Sequence, residues 1–274
     1  MNTPLTGTLK VPGATLHYET YGAGPVLLLI PGGAADAGLY AGMAADLAAH
    51  HTVVTYDPRG LSRSPLDAPL TDQKVDVWSD DARRLLDLLA PHEEASVLGC
   101  SSGAIVAVDL LARHPERLRR VVAHEPPLLG LLEDPAPHRA LFAEVREVFR
   151  TEGAGAAMAR FGEGLGGPPA ERPAEPPPEI REMAPRMHAN LPVFLGHMLV
   201  PFSSTVPDLA ALGRVARKLV PAAGRDSRGQ VPLHGPVARL ADLLGSRLVE
   251  FPGGHLGAVE SPQEFAKVLL EVLD

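Results

Sequence analysis

Short, mostly apolar runs alternate with segments of helical periodicity along most of this chain. The clearest run is Val26–Ile30. Similar runs follow at Thr52–Tyr56, Ala95–Leu98 and Leu118–Ala123. Strands that are apolar at nearly every position are typical of a parallel sheet covered by helices on both faces. Between the runs lie segments such as Asp76–Leu89, whose apolar residues recur at helical spacing. The alternation therefore predicts an α/β fold with a mostly parallel sheet.

The strand rhythm is interrupted over residues 127–211, where the sequence predicts helical pieces separated by glycine and proline, among them Pro178–His188 and Leu191–Leu199. Eight of the 28 prolines fall within residues 168–192. We therefore predict that residues 1–126 and 212–274 form an α/β core domain and that residues 127–211 form an inserted helical cap. For Gly164–Pro178 two interpretations stay open, a surface loop or the mobile edge of a lid.

Composition excludes several classes of protein. Apolar residues make up 45% of the 274, so the chain is able to bury a core, and a disordered or collagen-like chain is excluded. The longest strong apolar run has five residues, Val26–Ile30, so no membrane span is expected. The start of the chain shows no signal peptide, and Cys100, the single cysteine, permits no internal disulfide. These features favour the cytoplasm.

Charge and motifs bear on partners and cofactors. The net charge is −8 and basic residues form no run, so nucleic-acid binding is not expected. The sequence has no His-x-x-x-His and no Gly-x-Gly-x-x-Gly after its first strands, so neither a metal nor a dinucleotide cofactor is expected. The expected partner is a small-molecule substrate, with no membrane contact. The oligomeric state is open, and a homo-oligomer is one alternative.

A Gly-Cys-Ser-Ser-Gly sequence at residues 99–103 carries the strongest chemical signal. It follows the apolar run Ala95–Leu98 and precedes a segment of helical periodicity. A Gly-x-Ser-x-Gly sequence between a strand and a helix is typical of a nucleophile on a strained turn, where the neighbouring residues must be small. Ser101 is therefore the expected nucleophile. Ser102 is the alternative, but its flanking residues are less permissive than two glycines.

Four landmarks in chain order make the sequence resemble the α/β-hydrolase superfamily over essentially its whole length. They are the oxyanion-type loop Ile30–Gly33, the Asp-x-Arg-Gly-type loop Tyr56–Ser64, the turn at Ser101, and the histidine loop Phe251–His255. The resemblance implies a mostly parallel eight-stranded sheet flanked by helices. It also implies a helical cap that covers the carboxyl edge of the sheet and shapes the substrate pocket.

His255 is the expected general base. A serine hydroxyl is a weak nucleophile and needs an imidazole to take its proton. Among eleven histidines, His255 alone combines a glycine-rich loop after a strand with a position C-terminal to Ser101. The backbone N–H groups of Gly33 and Ser102 are the expected oxyanion-hole donors. Pro31 stands where the superfamily usually has histidine, which leaves the Gly33 N–H in place.

The acid of the triad has two candidates. The superfamily usually places it after the seventh strand in a Gly-x-x-Asp loop, and here Asp226 stands one residue early with Ser227 at the usual position. Glu125, in His-Glu-Pro-Pro at the end of the sixth strand, is the second candidate, because some members take their acid from there. Both keep the chain order serine, acid, histidine. We expect Asp226 ahead of Glu125.

The identity of the nucleophile limits the classes of reaction that are expected at the site. Superfamily members that displace halide or open epoxides use an aspartate at the turn, so Ser101 points instead to acyl transfer. The sequence thus predicts a serine hydrolase that cleaves an ester, lactone or related acyl bond of a small to medium apolar substrate. Two alternatives stay open: haloperoxidase-like or carbon–carbon bond hydrolase chemistry at the same site, and a non-catalytic small-molecule binding protein.

Overall fold

The computed structural model describes residues 4–166 and 178–274. The open question about Gly164–Pro178 falls mostly on residues that lie outside these ranges. No helix in the described ranges is long and apolar enough to cross a membrane.

Eight strands form one sheet in the described part of the chain. They are β1 (Leu5–Val11), β2 (Ala14–Tyr21), β3 (Val26–Ile30), β4 (Thr52–Tyr56), β5 (Ala95–Cys100), β6 (Leu118–His124), β7 (Leu219–Gly224) and β8 (Val249–Phe251). The strand order is β1-β2-β4-β3-β5-β6-β7-β8. Only the β1–β2 and β2–β4 pairs are antiparallel. The predicted fold class, a mostly parallel eight-stranded sheet flanked by helices, is confirmed.

Helices lie between the parallel strands and after the last strand. They are α1 (Ala41–Ala48), α2 (Val75–Leu89), α3 (Ser102–Arg113), α4 (Ala136–Glu152), α5 (Ala154–Leu165), α6 (Pro178–Val193), α7 (Leu199–Ser203), α8 (Leu209–Arg214), α9 (Val231–Leu244), α10 (Gly257–Glu260) and α11 (Pro262–Leu273). Between β6 and β7 the described residues form helices and loops and no strand.

Strand β3 shows why its run is apolar at every position. Leu28 and Ile30 pack into the core on one face of the sheet, with residues of α2 and α3. Leu27 and Leu29 pack into the core on the other face, with residues of α1 and α11. Side chains alternate between the two faces of a strand, so a strand buried on both faces is apolar at nearly every position.

Helix α6 differs from the sequence expectation. The sequence predicts two helices, Pro178–His188 and Leu191–Leu199, whereas α6 continues to Val193 and is followed by a π-helical turn at 194–198. Pro192 provides no backbone N–H, so the regular hydrogen-bond ladder is interrupted there, and the π-helical turn begins two residues later. Within the continuous part of α6, the buried amide of Asn190 bonds to groups of two core loops, Ser62 and Ala34.

A buried ion pair fixes the loop after β4. Arg59 donates from Nε and from a terminal nitrogen to the two carboxylate oxygens of Asp81, both at 2.6 Å. The same guanidinium also bonds the carbonyl of Pro12. Because both partners are buried, removing either one leaves the other charge without compensation.

We expect Asp81→Ala to lower the free energy of unfolding by about 3–5 kcal/mol, because it leaves the Arg59 guanidinium buried without its charged partner. Asp67→Ala is the matched control, since Asp67 pairs with Lys10 on an exposed surface, and its expected loss is below about 1 kcal/mol. Urea denaturation measures both. Equal losses in the two variants would contradict this account of the pair.

Candidate active site

The turn between β5 and α3 holds Ser101 in a strained backbone conformation. Ser101 has φ of 55° and ψ of −123°, a region that non-glycine residues rarely adopt. A Cβ atom on Gly99 would collide with the carbonyl oxygen of Gly103, and one on Gly103 would collide with the carbonyl oxygen of Ile30. The two glycines are therefore required by close backbone packing, as the motif predicts.

The oxyanion-type loop after β3 packs directly on this turn. A Cβ on Gly32 would collide with the carbonyl oxygen of Cys100. Gly33 has φ of 59°, and its N–H donates to the hydroxyl oxygen of Ser102 at 2.8 Å. Ser102 is the first residue of α3, where backbone N–H groups have no partner inside the helix. Both predicted donors therefore lie beside Ser101, and one of them is already bonded to a side chain.

A cavity of about 680 Å³ opens above the turn. Ser101, Ser102, Gly33 and His255 line its floor together. Residues between β6 and β7 line the opposite side, and most are apolar, including Phe142, Phe161, Met187, Leu191, Phe194 and Phe202. The cavity thus combines a small set of polar groups with a largely apolar wall, which is typical of a small-molecule site.

Glu125 is the carboxylate that contacts His255. Nδ1 of His255 lies 2.6 Å from Oε2 of Glu125. The other oxygen, Oε1, accepts the backbone N–H of Gly224 at 2.9 Å. Glu125 is fully buried and holds a left-handed backbone with φ of 50°. Both oxygens are therefore fixed, one on the imidazole and one on the end of β7.

Electrostatics keep Glu125 ionised despite its burial. Burial alone raises the pKa of this carboxyl, but the hydrogen bond and the charge of His255 outweigh burial, so the net pKa lies below the usual value. A carboxylate that stays charged is able to fix the tautomer of His255 and to stabilise its imidazolium form.

Asp226 does not occupy this position. Its side chain is exposed, and its backbone N–H donates to the carbonyl of Gly253 at 3.1 Å. The expected order of the two acids is therefore reversed: the structure brings Glu125, and not Asp226, to His255. The reason is the pairing of β6 with β7, which places the residue after β6 beside Gly224 and the histidine loop.

His124 is a buried neighbour that the sequence analysis did not single out. Its ring packs edge-on against Phe251 and Phe265. Burial lowers its pKa to about 4, so the ring is neutral. Its backbone carbonyl accepts the N–H of Ser101 at 2.9 Å. The main chain of His124 thus links the end of β6 to the turn at Ser101 by a hydrogen bond. No sequence pattern predicts this contact.

A second polar cluster joins α6 to the core loops. Asp36 is fully buried and accepts hydrogen bonds from Arg186 at 2.5 and 3.2 Å and from the Ser62 hydroxyl at 2.8 Å. Asn190 bonds the backbone of Ser62 and of Ala34. Burial raises the pKa of Asp36, but the bonds from Arg186, Gly38 and Ser62 outweigh it and hold the pKa below its usual value.

Comparison with known proteins agrees with the geometry. Residues 25–163 match the family model described as the alpha/beta hydrolase fold. The chain belongs to the α/β-hydrolase family. An uncharacterized hydrolase of Bacillus subtilis (strain 168) is 35% identical over 275 residues, covering 98% of this chain and 96% of the relative.

Two further relatives align over nearly the whole length. A zearalenone hydrolase of Bionectria ochroleuca is 30% identical over 281 residues, which cover 96% of each protein. The crystal structure of a hydrolase from Pseudomonas aeruginosa PA01 matches with a TM-score of 0.77 and 26% identity over 98% of each chain. The prediction that this chain is an α/β-hydrolase enzyme is confirmed at this level.

We expect Arg186→Met to lower the free energy of unfolding by about 1–2 kcal/mol near pH 7, because the buried Asp36 carboxylate loses its charged donor. Asp36 has a folded-state pKa below its unfolded value, so the stabilisation is complete above about pH 4 and disappears as pH falls through the folded pKa. The difference from wild type should therefore shrink in acid.

Chemical denaturation at several pH values measures this difference. Arg150→Met is the control, since Arg150 pairs with Glu147 at an exposed surface, and it should leave stability unchanged. A difference between wild type and Arg186→Met that stays constant down to pH 2 would contradict the role given to the Asp36 carboxylate.

Proposed function

We propose that this enzyme is a serine hydrolase that cleaves an ester, lactone or related acyl bond through an acyl-enzyme on Ser101. The observation that carries the proposal is the 2.6 Å contact between His255 and the buried carboxylate of Glu125, at the floor of the cavity that Ser101 lines. A serine, a histidine and a buried acid in that setting are the groups that nucleophilic acyl transfer requires.

Each residue has a defined role in the proposed reaction. Glu125 accepts the Nδ1–H of His255, which leaves Nε2 free to take the proton of Ser101. Ser101 attacks the carbonyl carbon, and the charge on the carbonyl oxygen develops next to the N–H of Ser102 at the start of α3. His255 then protonates the leaving group and later activates the water that releases the acid.

The cavity supports a small to medium apolar substrate. Its volume of about 680 Å³ lies within the ordinary range for small-molecule sites. Helices of the inserted segment 127–211, which we propose acts as a cap, supply most of the apolar wall. Because a relative with 30% identity is a zearalenone hydrolase, zearalenone belongs in the panel of substrates to be tested, beside p-nitrophenyl esters, lactones and acyl thioesters.

Reaction with a fluorophosphonate probe tests the nucleophile. We expect wild-type protein to form a covalent adduct and Ser101→Ala to form none, because the probe phosphonylates an activated serine. Peptide mass spectrometry locates the adduct. Well-folded wild-type protein that shifts its melting temperature with ligands yet reacts with no probe would contradict the proposal and favour a binding protein.

The acid is tested by two isosteric variants. We expect Glu125→Gln to lower kcat by about 10³–10⁴-fold, because the amide no longer holds the imidazole in the correct tautomer. Asp226→Asn is the matched control and should retain wild-type kcat, since the side chain of Asp226 is exposed and it is Glu125 that contacts His255. Ester hydrolysis measured at saturating substrate gives both values. A large loss in Asp226→Asn with full activity in Glu125→Gln would reverse the assignment.

A further inference from the structure

We propose that the hydroxyl of Ser102 itself donates a hydrogen bond to the oxyanion. The oxygen of the same hydroxyl accepts the N–H of Gly33, and this bond polarises it. This inference rests on the proposed acyl-transfer function. It assigns the Ser102 side chain a catalytic role in addition to that of its backbone N–H. In the expected arrangement the amide of Gly33 contacts the oxyanion directly, whereas here it acts through Ser102.

The contact between Gly33 and Ser102 is the starting point. The N–H of Gly33 points at the hydroxyl oxygen of Ser102 at 2.8 Å. An amide has one hydrogen, so this bond uses its donor capacity. Gly33 holds a left-handed backbone with φ of 59°, which glycine adopts at little cost. The loop therefore directs this amide to the side chain in the unliganded protein.

The proton of the Ser102 hydroxyl takes no part in the bond with Gly33. A serine hydroxyl provides one donor and two acceptor lone pairs. In the described residues, no protein group accepts a hydrogen bond from the hydroxyl of Ser102. The residue is only 5% exposed, yet it lines the cavity beside Ser101. The hydroxyl proton is therefore available to a substrate oxygen in the cavity.

The backbone N–H and the hydroxyl of Ser102 are then able to donate to the same substrate oxygen. The backbone N–H of Ser102 is a free donor in the first turn of α3. Its hydroxyl lies three bonds away from that nitrogen. A chain of hydrogen bonds from Gly33 N–H to the Ser102 hydroxyl and on to the oxyanion strengthens each link, because each donor polarises the next. Such fixed donors stabilise the transition state more than the ground state.

The same contact bears on Ser102 as the alternative nucleophile. A hydroxyl oxygen that accepts a hydrogen bond from Gly33 has one lone pair engaged and its electron density withdrawn. That polarisation makes the oxygen a weaker nucleophile and its proton a better hydrogen-bond donor. The observed geometry therefore suits Ser102 to stabilising the oxyanion and leaves the attack to Ser101.

The test is the kinetics of Ser102→Ala and Ser102→Thr with a p-nitrophenyl ester. Removing one oxyanion donor lowers kcat by about 10²–10³-fold, but in Ser102→Ala the uncovered Gly33 N–H replaces part of the effect, so we expect roughly 10–100-fold with KM unchanged. Ser102→Thr keeps the hydroxyl and should recover most of the lost kcat. Wild-type or higher kcat in Ser102→Ala would overturn the inference.

A transition-state analogue separates this role from a structural one. A trifluoromethyl ketone forms an alkoxide in the hole, so its affinity should fall in Ser102→Ala by the same factor as kcat/KM. An unchanged affinity would contradict the role. Should Ser102→Ala fold poorly by thermal melting, Ser102→Cys is the second variant, and because a thiol is a weak donor its kcat should also fall. Wild-type kcat in Ser102→Cys would contradict the role too.

Fluorophosphonate labelling keeps the two proposals apart. If wild-type protein is labelled at Ser101 but Ser102→Ala keeps full kcat, only the hydroxyl role fails. If Ser101→Ala hydrolyses the ester at the wild-type rate, the proposed function fails, whatever Ser102 does.

Discussion

Close packing of backbone on backbone around Ser101 is the constraint on which the rest of the site depends. The turn after β5 lies against the loop after β3, and three glycines at 32, 99 and 103 stand where any Cβ would strike a carbonyl oxygen. This packing holds Ser101 at a positive φ and brings the amide of Gly33 to Ser102. The sheet supplies the rigidity, because β3 and β5 are neighbouring parallel strands buried on both faces.

A second contact, between Glu125 and His255, links the two sides of the site. Glu125 follows β6, bonds the end of β7 through Gly224, and contacts the histidine on the loop after β8. Three consecutive strands therefore meet at one carboxylate, at the carboxyl edge where open α/β sheets bind ligands. The Asp36 cluster plays a comparable role on the cavity's other side, where it joins α6 to two core loops.

The fold and the placement of Ser101 and His255 at one cavity could be predicted from sequence because their signals are local. An apolar run followed by Gly-x-Ser-x-Gly specifies a strand, a turn and a helix within about twenty residues, and a glycine-rich loop identifies His255. Which acid contacts His255 could not be predicted from local sequence, because Asp226 and Glu125 both precede His255 in the chain. Only the pairing of β6 with β7 shows that Glu125 lies beside the histidine. The continuous α6 was also missed, because its two prolines suggest a break, and the long-range bonds of Asn190 to two core loops leave no signal in the sequence.

Acid-quenched mass spectrometry during turnover of an ester tests the central claim most directly. The account predicts that the peptide containing Ser101 gains the mass of the acyl group, with fragmentation placing it on the Ser101 oxygen. In Glu125→Gln both the formation and the decay of the adduct should slow, because acylation and deacylation both need the oriented His255. Turnover with no acylated peptide, or with the acyl group on Ser102, would contradict the account.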